Sequence, residues 1–397
     1  MAERPAPFEV LVLNQVAQAG LQRFPAERYA LVTEARDPDV ILLRSQDLHR
    51  REFGAKLKAV ARAGAGTNNI PVEALTRRGI PVFNAPGANA NAVKELVIAG
   101  LLMAARNIGP ALEFVRALDK SAPDLERRIE DGKKTYAGGE LPGQTLGVVG
   151  LGKIGSLVAD AAIRLGMQVV GYDPDITVEG AWGLPAQVRR ANSVEELLKA
   201  SRFVTLHVPL VERTRHLLNA TRLAAMRADA VLLNFSREGV ADDAAVLAAL
   251  AAGRLRGYVT DFPTAALIGA PGVLALPHLG ASTGEAEENS AVMAVDTLRD
   301  YLEHGNLRNA VNFPEASMAR ESPYRLAIAN ANVPDMLSRI SHTMGERGIN
   351  IHNMLNKSRG DLAYTVADVD SPVPPAALAA LNGIDGVLAV RYLAPEA

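Results

Sequence analysis

The chain carries 397 residues with 42 basic and 44 acidic side chains, a net charge of −2 that speaks against a nucleic-acid or anionic-membrane surface. Only 5 % of residues are aromatic, which leaves few rings on which bases would stack. Cysteine is absent, so disulfides, thiolate metal sites and a cysteine nucleophile are excluded, and no metal site is expected. At this length two or three domains are expected. The opening Met-Ala-Glu-Arg-Pro-Ala-Pro lacks the apolar stretch of a signal peptide, and the apolar run Leu96 to Ala105 is too short to span a bilayer. A soluble cytoplasmic protein without membrane or nucleic-acid partners is the expectation.

Three short apolar runs, Val10 to Leu13, Val40 to Leu43 and Lys58 to Ala61, read as parallel strands of a small α/β unit. A turn at Asn84 to Asn89 leads into a helix expected from about Asn91 to Asn107, with a strongly apolar face. Residues 110 to 143 read as polar and helical. Leu146-Gly-Val-Val-Gly-Leu-Gly-Lys-Ile-Gly155 then places Gly150-x-Gly152-x-x-Gly155 between a buried strand and an apolar helix. A second strand, Met167 to Tyr172, delivers Asp173, 18 residues beyond Gly155. Gly150 allows the tight turn, Gly152 lets backbone approach a pyrophosphate, and Gly155 lets the helix lie close on the sheet. A carboxylate at the second strand's end accepts hydrogen bonds from a ribose and repels a 2′-phosphate. With all parts in register this predicts an NAD site that prefers NAD over NADP.

Further strands are read at Phe203 to His207, Ala230 to Asn234, Arg256 to Asp261 and Val273 to Leu276, giving six parallel strands in a doubly wound sheet. A helix from Glu287 to Glu303 follows, then a linker from Pro314 to Pro323. The remainder has the order βαββαβ of a ferredoxin-like module. The fold class is thus α/β, with two doubly wound parallel-sheet domains and this C-terminal module. Domain bounds are expected at 1–88 with 286–314, at 89–285 and at 324–397.

Two side chains follow strands where open α/β sheets bind ligands. Arg237, in Asn234-Phe-Ser-Arg-Glu-Gly239, suits a bidentate clamp on a substrate carboxylate and polarises an adjacent carbonyl. His278, in Leu276-Pro-His-Leu-Gly280, suits proton transfer to or from a substrate oxygen. His207, before Val208-Pro209, is a candidate cofactor neighbour. Arg44, after a strand, suits a phosphate, but by itself reads equally as a loop-bridging ion pair.

These motifs together resemble the D-isomer-specific 2-hydroxyacid dehydrogenase family, and within it the short phosphoglycerate dehydrogenases that end in an ACT domain. The resemblance rests on Leu43-Arg-Ser45, Arg62-Ala-Gly-Ala-Gly-Thr-Asn-Asn-Ile70, Asn84-Ala-Pro-Gly-Ala-Asn-Ala90, the dinucleotide motif, Asn234-Phe-Ser-Arg237, Val259-Thr-Asp-Phe-Pro263 and Leu276-Pro-His-Leu-Gly-Ala-Ser-Thr283. It implies NAD-dependent oxidation of D-3-phosphoglycerate, in serine biosynthesis, in a cleft between two domains. Arg237 would bind the carboxylate and carbonyl, and His278 would be the acid/base. Ala63, Gly64 and Ala65 would cradle the carboxylate, with Arg44, Ser45 and Asn89 toward the phosphate end. The cofactor surface is expected to take in Gly150, Gly152, Lys153, Ile154, Gly155, Asp173, His207, Pro209, Thr214, Asp261 and Gly280. The apolar helix and the ACT module imply a homodimer or homotetramer. ACT domains bind small amino acids, which points to Asn330, Asn332 and Asn350 as effector positions, with serine the expected effector; a purely dimerising module is the alternative. Asp335 stands where the ACT turn usually has glycine.

One expected residue is missing. The family places a glutamate against the catalytic histidine, at the position of Ala265 or Ala266 here, and no carboxylate lies between Asp261 and Glu285. Asp261 or a downstream glutamate would substitute, or His278 works unassisted, or turnover is lost. The rivals to the main reading are therefore a reductase of glyoxylate, hydroxypyruvate or another 2-oxo acid, and a silent NAD(H)-sensing regulator. An unassisted histidine predicts that reduction fades at lower pH than in relatives with the glutamate. A pH–rate profile with its upper limb above about pH 8.5 contradicts that version.

Overall fold

The computed structural model describes residues 6–394. The chain forms two compact units, one made of residues up to Asn89 together with those from Gly284 onward, the other of Ala90–Thr283.

The first unit opens with β1 (Phe8–Leu13), β2 (Tyr29–Val32), β3 (Val40–Leu43), β4 (Ala59–Arg62) and β5 (Val82–Phe83). They pair in parallel in the order β2-β1-β3-β4-β5. Val40, Ile41, Leu42 and Leu43 are all buried, as expected of a strand covered on both faces. Sequence reading misses β2 and β5, an edge strand and a two-residue strand with no room to show a period. The order reverses between β1 and β3, so the ends of these strands, Asn14 and Arg44, flank the switch point where such sheets take ligands.

The second unit holds β6 (Thr145–Val149), β7 (Gln168–Tyr172), β8 (Arg189–Arg190), β9 (Phe203–Leu206), β10 (Val231–Asn234), β11 (Gly257–Thr260) and β12 (Val273–Ala275). The parallel order is β12-β11-β10-β9-β6-β7-β8, with the switch point between β6 and β9. There are seven strands, not six: β8 is an exposed Arg-Arg pair, the charged, short edge that discourages further pairing. The helix Ala90–Ala105 packs Val93, Val97 and Leu101 into the core under β6 and β10. Among the described residues no single helix is long and apolar enough to cross a membrane.

The chain returns to the first unit by the helix Gly284–His304, which packs so closely on the short helix Gln18–Leu21 that a Cβ at Gly20 would strike Ala291. The third sheet contains β13 (Tyr324–Ala331), β14 (Ile351–Arg359), β15 (Leu362–Val369) and β16 (Val387–Leu393), antiparallel in the order β14-β15-β13-β16. With the helices Met336–Gly345 and Pro375–Asn382 it completes the βαββαβ order. One face carries Leu326, Ile328, Ala367 and Val369 onto these helices. Alternate residues of the other face, Ala327, Ala329, Tyr364 and Val366, join Val295, Leu298, Tyr301 and Phe313 in one core with the first sheet.

The expected linker is therefore structured. Ala316 and Met318 are buried, and Leu307 bridges to Ala316. Arg325 on β13 is fully buried and donates to Asp368 opposite it on β15 at 2.5 and 2.9 Å. Its remaining donors take the carbonyls of His304, Met318 and Ala319 at 3.0, 3.0 and 2.8 Å. Burial pushes the Asp368 carboxyl up, but Arg325 and the Glu321 N–H outweigh it, so its pKa lies below the usual range. A lowered folded pKa contributes stability above the unfolded value and loses it as pH falls through the folded one. Asp368→Ala leaves a buried guanidinium uncompensated and is expected to destabilise the first unit by about 3–5 kcal/mol. Urea melts of the full chain at pH 7 check this; a loss under about 1 kcal/mol would mean that the pair contributes little.

Candidate functional site

In the second unit the glycine turn is built as its spacing predicts. Gly150 sits at φ 90°, and a Cβ there would collide with the His207 carbonyl. A Cβ on Gly155 would collide with the Gly150 carbonyl oxygen, which is why the helix Lys153–Arg164 can begin so close to β6. Gly152, its N-cap, has no neighbouring atom within 4 Å of a would-be Cβ, and no side chain caps the helix. Lys153, Ile154 and Gly155 thus open a helix whose free first-turn N–H groups face open space, the arrangement that binds an anion. Asp173 accepts from the Leu151 N–H at 2.8 Å and the Asp175 N–H at 3.0 Å, so its carboxylate is fixed beside the turn.

His207 follows β9. Its N–H donates to Val149 at 2.7 Å, and its Nε2 lies 3.0 Å from the Thr205 hydroxyl. Burial pushes its pKa down to about 3, so the ring is neutral. Its Nδ1 is buried without a partner, an orphaned polar atom. Thr214 is turned inward: its hydroxyl donates to the Pro209 carbonyl at 2.5 Å and accepts from Val211 at 2.9 Å, so it shapes the loop.

Arg237 is exposed after β10, with Nη1 on the Ser236 carbonyl at 2.7 Å. Beneath it, buried Asn234 donates to the Arg237 carbonyl at 2.9 Å and accepts from the Ser236 N–H and hydroxyl at 3.2 and 2.8 Å. Asp261 follows β11 and is 1 % exposed. One carboxylate oxygen accepts from the Gly280 N–H at 3.0 Å, while the other is buried without a partner. The Asp261 carbonyl accepts from the His278 N–H at 2.9 Å. Burial raises the Asp261 pKa; the Gly280 N–H and the cationic forms of His278 and Arg237 pull against it. His278 is exposed at φ 42°, its ring tilted against Phe262 with centroids 4.7 Å apart. Among the described residues no side chain hydrogen-bonds that ring. The unit therefore brings a guanidinium, an imidazole and a buried carboxylate to neighbouring strand ends beside the glycine turn's sheet. The open space at Gly152 and the orphaned atoms of His207 and Asp261 fit a dinucleotide.

In the first unit, Arg44 and Ser45 follow β3. Asn14, at φ 65°, accepts from the Ser45 and Gln46 N–H groups at 3.1 and 2.6 Å. Arg62 donates to the carbonyls of Arg44, at 2.7 Å, and Gly66, spanning the Ala63–Gly64–Ala65 loop. Asn84 donates to the Ala65 carbonyl at 2.6 Å, and half-buried Asn89 ends the next loop. The Arg44 guanidinium pairs with Glu287 at 2.7 Å. In the third sheet Asn330 and Asn332 line a cavity of about 170 Å³ with Asp335, Ser338 and Asn356. Asn330 is 1 % exposed with an unpartnered carbonyl oxygen. Asn350 does not line that cavity; it donates to Asp370 at 2.5 Å. Asp335 adopts φ 66° at the start of the helix Met336–Gly345, a conformation aspartate tolerates better than most residues.

Sequence reasoning misses Asn14, Arg62, Asn234 and Glu287 as shapers of the site. Arg62 and Asn234 stand inside motifs already singled out; Asn14 and Glu287 carry no local signal.

Comparison with known proteins agrees with this geometry. Residues 98–280 match the family described as D-isomer specific 2-hydroxyacid dehydrogenase, NAD binding domain. The D-3-phosphoglycerate dehydrogenase of Escherichia coli is 34 % identical over 378 residues, 90 % of this chain and 87 % of that protein. That of Haemophilus influenzae is 33 % identical over 354 residues, 86 % of this chain and 82 % of that protein. That of Methanocaldococcus jannaschii is 35 % identical over 308 residues, 75 % of this chain and 56 % of that protein. Among solved structures, a Thermus thermophilus protein superposes with a TM-score of 0.61 at 29 % identity, over 76 % of this chain and 99 % of that one. The fold is also that of D-2-hydroxyisocaproate dehydrogenase, with a TM-score of 0.62 at 23 % identity over 77 % and 99 %. With its NAD-binding unit and these relatives, the chain belongs to the D-isomer-specific 2-hydroxyacid dehydrogenases and is an enzyme of that family.

Proposed function

We propose that the enzyme oxidises D-3-phosphoglycerate to 3-phosphohydroxypyruvate, and reduces the product in reverse. The observation that carries this reading is Arg44, a guanidinium at the switch point of the first sheet, together with relatives named for that activity. Arg237 holds the substrate carboxylate and His278 takes the hydroxyl proton during oxidation. NAD, held by the Gly150–Gly155 turn and Asp173, supplies the hydride acceptor when bound. Asp261 takes the place of the missing glutamate as the carboxylate beside His278, since it is buried and its carbonyl accepts from the His278 N–H. The orphaned Asn330 oxygen and the adjoining helix N-terminus support a small amino-acid effector such as serine in the third-sheet cavity. Exposed Leu112, Val115 and Ile129 support association with further copies, as a dimer or tetramer.

NADH oxidation is compared side by side with 3-phosphohydroxypyruvate, hydroxypyruvate, glyoxylate and 2-oxoglutarate. The phosphorylated acid is expected to be preferred, and Arg44→Ala to reduce that preference roughly 10- to 100-fold, the weight of one charge-assisted hydrogen bond. Equal rates across the series, unchanged by the substitution, favour a general 2-oxo acid reductase. No turnover despite NADH binding favours a sensor.

Asp261→Asn separates chemistry from folding. A raised folded pKa means that the folded state favours the protonated acid and loses stability as pH rises from the unfolded toward the folded value. At pH 7 the neutral amide, still able to accept from Gly280, is therefore expected to leave the melting temperature unchanged or slightly higher. Turnover is expected to fall roughly 10- to 100-fold as the carboxylate next to His278 is lost. A lower melting temperature with full turnover would give Asp261 a purely structural role.

A further inference from the structure

The Arg44 guanidinium is held by a carboxylate that the phosphate reading has no need of. Glu287 stands in the first turn of the helix Gly284–His304, beside Glu285, and its Oε1 accepts from Arg44 Nη2 at 2.7 Å. The root of Arg44 is fixed: its carbonyl accepts from Arg62 at 2.7 Å and from Asn69 at 3.2 Å. The backbone amides that would otherwise receive an anion here, those of Ser45 and Gln46, both donate to Asn14. An anion arriving at this strand end therefore relies on Arg44, and it meets Glu287 on the same guanidinium.

We infer that Glu287 is a specificity-determining residue that competes with the substrate's distal phosphate for Arg44. The inference rests on the assignment of Arg44 to that phosphate. The two side chains are 36 % and 43 % exposed, so solvent screens their attraction and the pair separates readily. A phosphate carries more than one negative charge near neutral pH and can displace the carboxylate. It then binds with Glu287 still close by and repelling it. Glu287 thereby weakens binding of phosphorylated 2-oxo and 2-hydroxy acids and leaves unphosphorylated ones, which make no use of Arg44, nearly unaffected. Selectivity for phosphate is a difference between two affinities, and a carboxylate placed here narrows it.

The test uses the full chain with Glu287→Gln, Arg44→Ala and the double variant, measuring KM and kcat with NADH for 3-phosphohydroxypyruvate and hydroxypyruvate. Glutamine keeps the shape and removes the charge at an exposed position. The expected result is a KM for the phosphorylated acid lowered roughly 3- to 30-fold, with KM for hydroxypyruvate within about 2-fold and no effect of Glu287→Gln once Arg44 is alanine. An unchanged KM overturns the inference, and so does a raised one, which would make Glu287 a support that orients Arg44. An effect that persists without Arg44 overturns it as well, as a general change in surface charge. If Arg44→Ala alone leaves the ratio of the two substrates untouched, the phosphate assignment fails first, and the two failures are told apart.

Discussion

The second unit is organised around a carboxylate that has every reason to avoid its surroundings. Asp261 ends β11 inside the protein, with one oxygen on the Gly280 amide and the other without a partner. An ionised carboxylate so placed is disfavoured by desolvation, and the fold retains it because neighbouring groups respond to its charge. Its side chain and its carbonyl together hold the segment from His278 to Gly280 against β11. Close packing contributes too: a Cβ on Gly280 would come within 3.2 Å of the Asp261 oxygen. His278 thereby stands at φ 42°, a left-handed conformation that a non-glycine residue adopts only when its surroundings fix it. Backbone strain, an unpartnered oxygen and a raised pKa coincide at one strand end, where functional constraint is the economical explanation.

The first unit meets a different constraint. A four-stranded sheet with helices on one side leaves its other face to be covered, and here the first sheet's own helix covers it. Burying that contact means burying the carbonyls of His304, Met318 and Ala319, which need donors. Arg325 supplies them from one planar group, and Asp368 balances its charge. Tyr364 adds a hydroxyl on the Gly305 carbonyl at 2.8 Å, and Arg391 lies over the Tyr301 ring. A ligand in the Asn330 cavity would thus act on a sheet continuous with the core of the first domain, without a loose tether between them.

Much of this is legible in the sequence because period and punctuation dictate it. The glycine turn, Asp173 and the βαββαβ order follow from spacings that only a few local structures satisfy. Arg237 and His278 stand out because both follow apolar runs ended by turn residues. Elements whose signal is not local escape such a reading. β8 is two arginines, which read as loop, and β2 is an edge strand half exposed to solvent. The segment around Ala316 reads as a linker because its proline and small residues lack a period, yet it is fixed by an arginine several residues further on. Glu287 is one of three glutamates within four positions, and nothing in its neighbours says that Arg44, more than 240 residues earlier, selects it.

Departures from the family pattern concentrate on carboxylates, and their burial separates what they do. No acid stands at 265 or 266, so the buried charge of Asp261 acts on both Arg237 and His278. Its own burial strengthens that interaction, while the exposure of Arg237 and His278 lets water screen it in part. The carboxylates of Glu287, beside Arg44, and Asp335, at a helix start, are exposed, where screening leaves each interaction weak and adjustable. Asp335 also sets a negative charge where the helix would favour an anion, which disfavours a ligand that presents only a carboxylate there. A buried charge such as that of Asp261 tolerates little variation in geometry. A solvated charge such as that of Glu287 can be changed by a single substitution without disturbing the fold.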